Sequence, residues 1–198
     1  APRWARRTAL QNLVRATDAL EAPGIVSVAA IDGPAFGGGM ELALACDLRV
    51  ASDRPDAWLA QPEVLGGVMA GFGATWRLPR LIGAARALEL LVLGEAIDPH
   101  RAAAWGLVNR VLPAATFQDD VWALARRLAT RPAGAVAGTK RALGRGPWRE
   151  LAEVLTVWSS PDADRGLARA AVTIATEAAR PTRRPLPELL AELERPPG

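Results

Sequence analysis

Residues 25–52 read IVSVAAIDGPAFGGGMELALACDLRVAS. Two apolar runs, 25–31 and 47–52, bracket the turn residues Gly33 and Pro34, three consecutive glycines, and an apolar stretch at 39–45 that reads as a short helix. Apolar runs of this length between Gly and Pro predict strands buried on both faces. Strand, short helix and strand in succession point to an α/β domain. Gly37–Gly39 fall at the entry to the helix. The first N–H groups of a helix have no internal acceptor and carry the positive end of its dipole. Without Cβ atoms, a ligand can approach that backbone closely. The glycines can therefore offer donors to an anion, or to a carbonyl oxygen that gains charge during a reaction. Turn geometry alone would also use glycines, and at this point both readings stand. A phosphate loop would need a lysine followed by Ser or Thr, whereas Met40 and Glu41 follow here. An acid beside bound phosphates repels them, so Glu41 fits proton chemistry better.

The rest of the chain sets bounds on this reading. Its 198 residues suffice for one sizeable core, and half of them are hydrophobic. No apolar run reaches the length of a membrane span, and no membrane or nucleic-acid partner is expected. The net charge is +3, and Lys140 is the single lysine, so the basic character rests on arginines interleaved with 21 acids. Such a surface suits phosphorylated small molecules better than a polyanion. One cysteine, Cys46, excludes an internal disulfide framework and suits a reducing cytoplasm.

Upstream, residues 4–20 read as an amphipathic helix with Leu10, Leu13, Val14 and Leu20 on one side. Downstream, AWLAQPEV (57–64) reads as a third strand ending near Gln61 and Pro62. A glycine-rich segment follows at 64–83, then a helix at 84–93. Asp98-Pro99 is an N-cap followed by proline in the first helical position, with Gly106 closing that helix. LVNRVL (107–112) reads as a strand. Helices are predicted from Thr116 to about Thr130 and over 133–143, 147–158 and 161–180, and a short leucine-bearing helix in the tail after residue 180. Cys46 and the tryptophans read as core or interface residues, Asp47 as a partner for local backbone donors, and the single histidine, His100, as a surface residue.

AIDGPAFGGGMELALACDLRVAS, AQPEVLGG, GATWRLPRLIGAARALELLVLGEAID, RAAAWGLVNRVLP and KRAL together resemble the enoyl-CoA hydratase/isomerase, or crotonase, superfamily, in register from about residue 20 to about 145. The resemblance implies an α/β fold in which repeated ββα units form a spiral core, followed by helices used in trimer packing. On that basis residues 1–115 are expected to be a partial spiral core and 116–198 a helical region. Gly38 matches the position whose N–H forms half of an oxyanion hole for a thioester carbonyl. Glu41 and Glu63 match the two catalytic glutamates. Acyl contacts are implied for Phe36, Gly37, Gly71 and Trp76. Coenzyme A would arrive as part of the substrate, with no separate cofactor and no metal, and the assembly would be a homotrimer or hexamer.

Two departures stand out. The usual P-G-x-G-G-T-q-R-L reads Ala70-Gly71-Phe72-Gly73-Ala74-Thr75-Trp76-Arg77-Leu78 here. In addition, nothing matches the [AS]-G-x-D loop that gives the second oxyanion N–H and much of the CoA contact, so the N-terminal third of a typical member is expected to be missing. Retention of both glutamates implies hydration of a 2-enoyl thioester. The alternatives are double-bond isomerisation, with Glu63 as the main proton shuttle, and a non-catalytic subunit of the same fold.

Overall fold

The computed structural model describes residues 3–22 and 24–178, together with 188 and 191. The tail helix predicted after residue 180 and the last two residues of the 161–180 helix lie outside the described residues. The chain divides into two compact units, Ala1–Ala22 with Val26–Leu124, and Pro23–Ile25 with Ala125–Gly198.

In the first unit, α1 (Arg3–Leu20) precedes two consecutive strand–strand–helix turns. The first is β1 (Val28–Ile31), β2 (Ala35–Phe36) and α2 (Gly38–Ala45). The second is β3 (Leu48–Ser52), β4 (Leu59–Ala60) and α3 (Ala74–Ile82). β1 pairs with β3 in parallel, Val28 opposite Leu48, and β2 pairs with β4 in parallel, Ala35 opposite Leu59. Each turn therefore adds one strand to each of two sheets, which is the ββα spiral the sequence implied. α4 (Ala84–Leu93) and α5 (Pro99–Ala104) lead to β5 (Arg110–Leu112), which joins the first sheet beside β3 in the order β1-β3-β5. A bridge between Leu59 and Ile97 closes β4, with hydrogen bonds in both directions at 2.8 and 2.9 Å.

The core gathers where the turns stack. Met40, Leu44, Ala51, Leu59, Leu78, Leu90, Ile97 and Leu107 are all buried there. β3, the middle strand, is buried from Arg49 through Ser52. Arg49 is satisfied by carbonyls: its Nε donates to the Leu107 oxygen at 2.7 Å and its Nη1 to the Cys46 oxygen at 2.6 Å. A buried charge is tolerated when its donors find such acceptors. The low polarity around it still pulls its pKa below the ordinary arginine value.

The second unit contains α7 (Ala133–Ala142), α8 (Pro147–Trp158) and α9 (Pro161–Ala178), while α6 (Phe117–Ala129) carries the residues on either side of the division. Glu153 of α8 is held below the ordinary carboxylate range by the Arg141 guanidinium, which donates to it at 2.9 Å.

Several expectations need correction. β2 was not anticipated, because two residues after Gly33-Pro34 leave no periodicity to read. β1 starts at Val28 and is only partly covered, with Ala30 exposed. The third strand shrinks to Leu59–Ala60, and Glu63 opens a 3-10 turn, Glu63–Gly66. The glycine-rich 64–83 segment contains α3. In α1, Leu13 and Val14 are exposed and Thr17 is buried, while Asp18 and Glu21, the latter just beyond the helix, face Arg77 of α3. Trp58, Trp76, Trp122, Trp148 and Trp158 are exposed, so for these five the core half of the reading fails. Asp47 also reaches beyond its own surroundings: its Oδ2 accepts from the Ser27 N–H at 2.8 Å and the Ser27 hydroxyl at 3.0 Å, twenty residues away.

The Asp98 cap forms as read, its carboxylate accepting from the Arg101 N–H at 2.9 Å. That bond holds Asp98 below its ordinary pKa of 3.8, aided by the His100 N–H. A depressed carboxylate stabilises the fold fully above its unfolded value and loses that contribution as pH falls through the folded value. Asp98→Asn keeps a capping oxygen and removes the charge. It should lower stability by about 0.5 kcal/mol at pH 7 and low salt, and the difference should vanish as pH falls below about 3.8, followed by urea unfolding across that range.

Candidate functional site

Glu41 is the fourth residue of α2, and its side chain is 1% exposed. A buried carboxylate needs donors. Both that are found come from the segment entering α3. The Phe72 N–H donates to Glu41 Oε1 at 2.7 Å and the Ala74 N–H to the same oxygen at 3.0 Å. Glu41 lies in the first turn of α2. Its carboxylate accepts from the start of α3, where Ala74 is the first residue, so the dipole of that helix favours it as well. Both bonds land on Oε1. No described donor bonds to Oε2, whose lone pairs remain for a ligand or water.

Glu63 is placed by a tight backbone. Pro62 precedes it, and its own carbonyl accepts from Gly67 and Val68, Gly67 being left-handed with φ 71°. Its carboxylate lies against the glycine loop: a Cβ at Gly37 would sit 2.8 Å from Glu63 Oε1. Gln61 is fully buried, and the surrounding donors and acceptors orient its amide so that the nitrogen faces Glu63, 3.0 Å from Oε2 and 3.1 Å from Oε1.

The triple glycine is thereby explained one residue at a time. Gly37 adopts φ 53°, caps α2 and gives room to Glu63. At Gly38 a Cβ would stand 2.9 Å from the Phe72 ring. At Gly39 it would meet nothing within 4 Å. The N–H groups of Gly38 and Gly39 open α2 and so lack intrahelical acceptors.

Glu41, Glu63, Gly37 and Gly38 thus share one neighbourhood, with the Phe72 N–H donating to Glu41 and the Phe72 ring lying against Gly38. Phe36 continues β2 into this loop and is exposed. Gly71 is exposed in the segment just before Phe72. Trp76, also exposed, has the guanidinium of Arg77 4.1 Å and that of Arg80 4.8 Å from its ring centre. Both cations stack on its ring. Among the described residues no group of His, Cys, Asp and Glu could hold a metal, and no helix is long and apolar enough to cross a membrane. Cys46 is half-buried, and burial raises its thiol pKa. The roles of the Phe72 and Ala74 amides and of Gln61 went unread, because backbone donors leave no signature of residue type. The one available signal was a buried-type run of glycines around an arginine at 71–77.

A family model described as enoyl-CoA hydratase/isomerase matches residues 6–159. The fatty acid oxidation complex subunit alpha of Shewanella frigidimarina is 46% identical over 108 residues, covering 54% of this chain and 15% of that protein. The enoyl-CoA isomerase/hydratase fer4 of Mycosarcoma maydis is 39% identical over 146 residues, covering 74% of this chain and 53% of that protein. The crystal structure of an enoyl-CoA hydratase from Geobacillus kaustophilus superposes with a TM-score of 0.80 at 34% identity, covering 93% of this chain and 70% of that one. The chain therefore spans about half the length of the Mycosarcoma relative and far less of the Shewanella one.

The three adjacent glycines should respond differently to alanine. Gly39→Ala should be neutral or stabilising by up to about 1 kcal/mol, from helix propensity. Gly37→Ala and Gly38→Ala should each cost about 1 kcal/mol or more, through positive φ or a clash. Urea unfolding of the three variants checks this; equal costs at all three positions would mean that turn geometry, not contact, demands the glycines.

Proposed function

The chain belongs to the enoyl-CoA hydratase/isomerase family, and from that premise we propose that it adds water across the 2,3 double bond of an enoyl-CoA thioester. The observation that carries this reading is the buried Glu41 carboxylate fixed by the Phe72 and Ala74 amides, beside a loop that also seats the Glu63 carboxylate. Hydration needs a water activated for attack at C3, a proton delivered to C2, and a place for the charge that accumulates on the thioester oxygen. Two carboxylates in different surroundings can divide the acid and base work. Here one is buried with two amide donors on a single oxygen, and the other is half-buried against a glutamine amide. Glu41 and Glu63 are assigned these two roles, holding the water between them.

The Gly38 N–H, at the open end of α2, is assigned to the thioester oxygen. One such donor lowers a barrier by about 3–4 kcal/mol where it is aligned to the developing charge. The glycine's missing Cβ lets the oxygen approach. Phe36, Gly37, Gly71 and Trp76 are proposed to contact the acyl thioester. The CoA moiety is carried by the substrate, so the reading calls for no separate cofactor. A cytoplasmic location and a homotrimeric or hexameric assembly belong to the same proposal. The second is supported by the exposed Leu143, Trp148, Leu155 and Trp158 in the helical unit.

Isomerisation is the second reading, favoured by the different seating of the two acids, since a single shuttling carboxylate moves a proton between two carbons. Loss of enoyl absorbance with crotonyl-CoA separates the readings. Glu41→Gln and Glu63→Gln should each reduce hydration by about 100-fold to 10,000-fold. A Glu41→Gln protein that still shifts the double bond of a 3-enoyl-CoA would favour isomerisation. CoA binding without turnover of either thioester would contradict both and point to a non-catalytic subunit.

A further inference from the structure

We infer that Arg77, anchored by Glu21, is a positioning residue for Glu41; this rests on the reading of Glu41 as a reacting group. Arg77 lies on α3 with its side chain 4% exposed. Its Nη1 donates to the Phe72 carbonyl at 2.7 Å. That carbonyl lies between the two N–H groups, of Phe72 and Ala74, that hold Glu41 Oε1. The segment thus turns its amides toward the acid and its intervening oxygen toward the guanidinium. Gly73 makes this possible. It takes φ 119°, and a Cβ there would fall 2.0 Å from Arg77 Nη1, so the backbone is folded directly around the cation.

The guanidinium is fixed in turn from outside. Its Nε donates to Glu21 Oε1 at 2.6 Å, one residue beyond the end of α1. Its Nη2 lies 3.8 Å from Asp18 Oδ1 on α1 and makes no hydrogen bond. A buried cation with an unused donor is costly to keep. Core packing alone would be served better by an apolar side chain of similar volume. The expense is understandable if the planar fork is needed to set one carbonyl, and through it two amides, to the accuracy that a reacting carboxylate requires. The chain of contacts runs Glu21, Arg77, Phe72 carbonyl, Phe72 and Ala74 amides, Glu41.

The test uses Arg77→Lys, Arg77→Ala and Glu21→Gln in the full chain, with two readouts. The first is the amide proton shifts of Phe72 and Ala74, referenced to Glu41→Gln, in which the charged acceptor is gone. The second is crotonyl-CoA kinetics. Both amide shifts should move toward the Glu41→Gln positions in Arg77→Lys, and by less in Glu21→Gln. In Arg77→Lys kcat should fall about 100-fold, as for an ångström-scale misplacement, with KM within about twofold. Guanidinium ion at non-denaturing concentration should restore turnover to Arg77→Ala and not to Glu41→Gln. Amide shifts unmoved in folded Arg77→Lys overturn the proposal, as does a loss of kcat that only tracks the unfolded fraction. If the unaltered protein turns over no enoyl thioester, the proposed function falls while the amide shifts still decide the role of Arg77.

Discussion

A carboxylate cannot be buried without donors, and the first unit is organised around that requirement. Glu41 sits in the first turn of α2, yet its partners lie more than thirty residues later in the chain. Meeting the requirement links one ββα turn to the next, because α2 closes the first turn and α3 the second. The two bonds from Phe72 and Ala74 pin the entry of α3 to the side chain of α2 at the point where the glycine loop of the first turn also passes. An unpaired carboxylate there would cost several kcal/mol, so the native arrangement of this corner has few alternatives.

The same corner shows why small residues and large ones alternate along it. Gly37 yields space to Glu63, Gly38 to the Phe72 ring, and Gly73 to Arg77. Gly37 and Gly38 make room for a side chain from the other turn, and Gly73 for one from the helix it caps. The charged groups are therefore not brought together by mutual attraction but by backbone that makes room for them. Gln61, buried in the same region, turns its amide to Glu63. This gives each acid its own amide partner, backbone for one and side chain for the other, and separates their surroundings in the way that divided acid and base work requires.

The α/β succession was legible in the sequence because its determinants are local, whereas the spiral was implied only by the family resemblance. Apolar runs between Gly and Pro marked β1 and β3, Asp98-Pro99 marked α5, and helical spacing marked α4 and α6 to α9. β2 and β4 were poorly legible because two-residue strands carry no period, and their identity comes from pairing with each other. α3 was hidden by its neighbouring glycines. At the site, Glu41 and the glycines stood out as residue types, and Glu63 came only from the family resemblance. Their supports did not: an amide N–H belongs to every residue, so nothing at Phe72 or Ala74 announces that it holds an acid. Arg77 was visible only as a charge in a glycine-rich segment. Trp76, expected at the acyl site, lies beside the guanidinium groups of Arg77 and Arg80.

The central claim is that Glu41, Glu63 and the Gly38 amide address one set of reacting atoms. A crystal structure with bound acetoacetyl-CoA, whose enolate form resembles the charged thioester, tests it most directly. The account predicts the thioester oxygen within about 3.2 Å of the Gly38 nitrogen, with both carboxyl groups within direct or one-water reach of the acyl carbons. A bound ligand whose thioester lies away from Gly38, or carboxyl groups of Glu41 and Glu63 opening onto separate cavities, would contradict it.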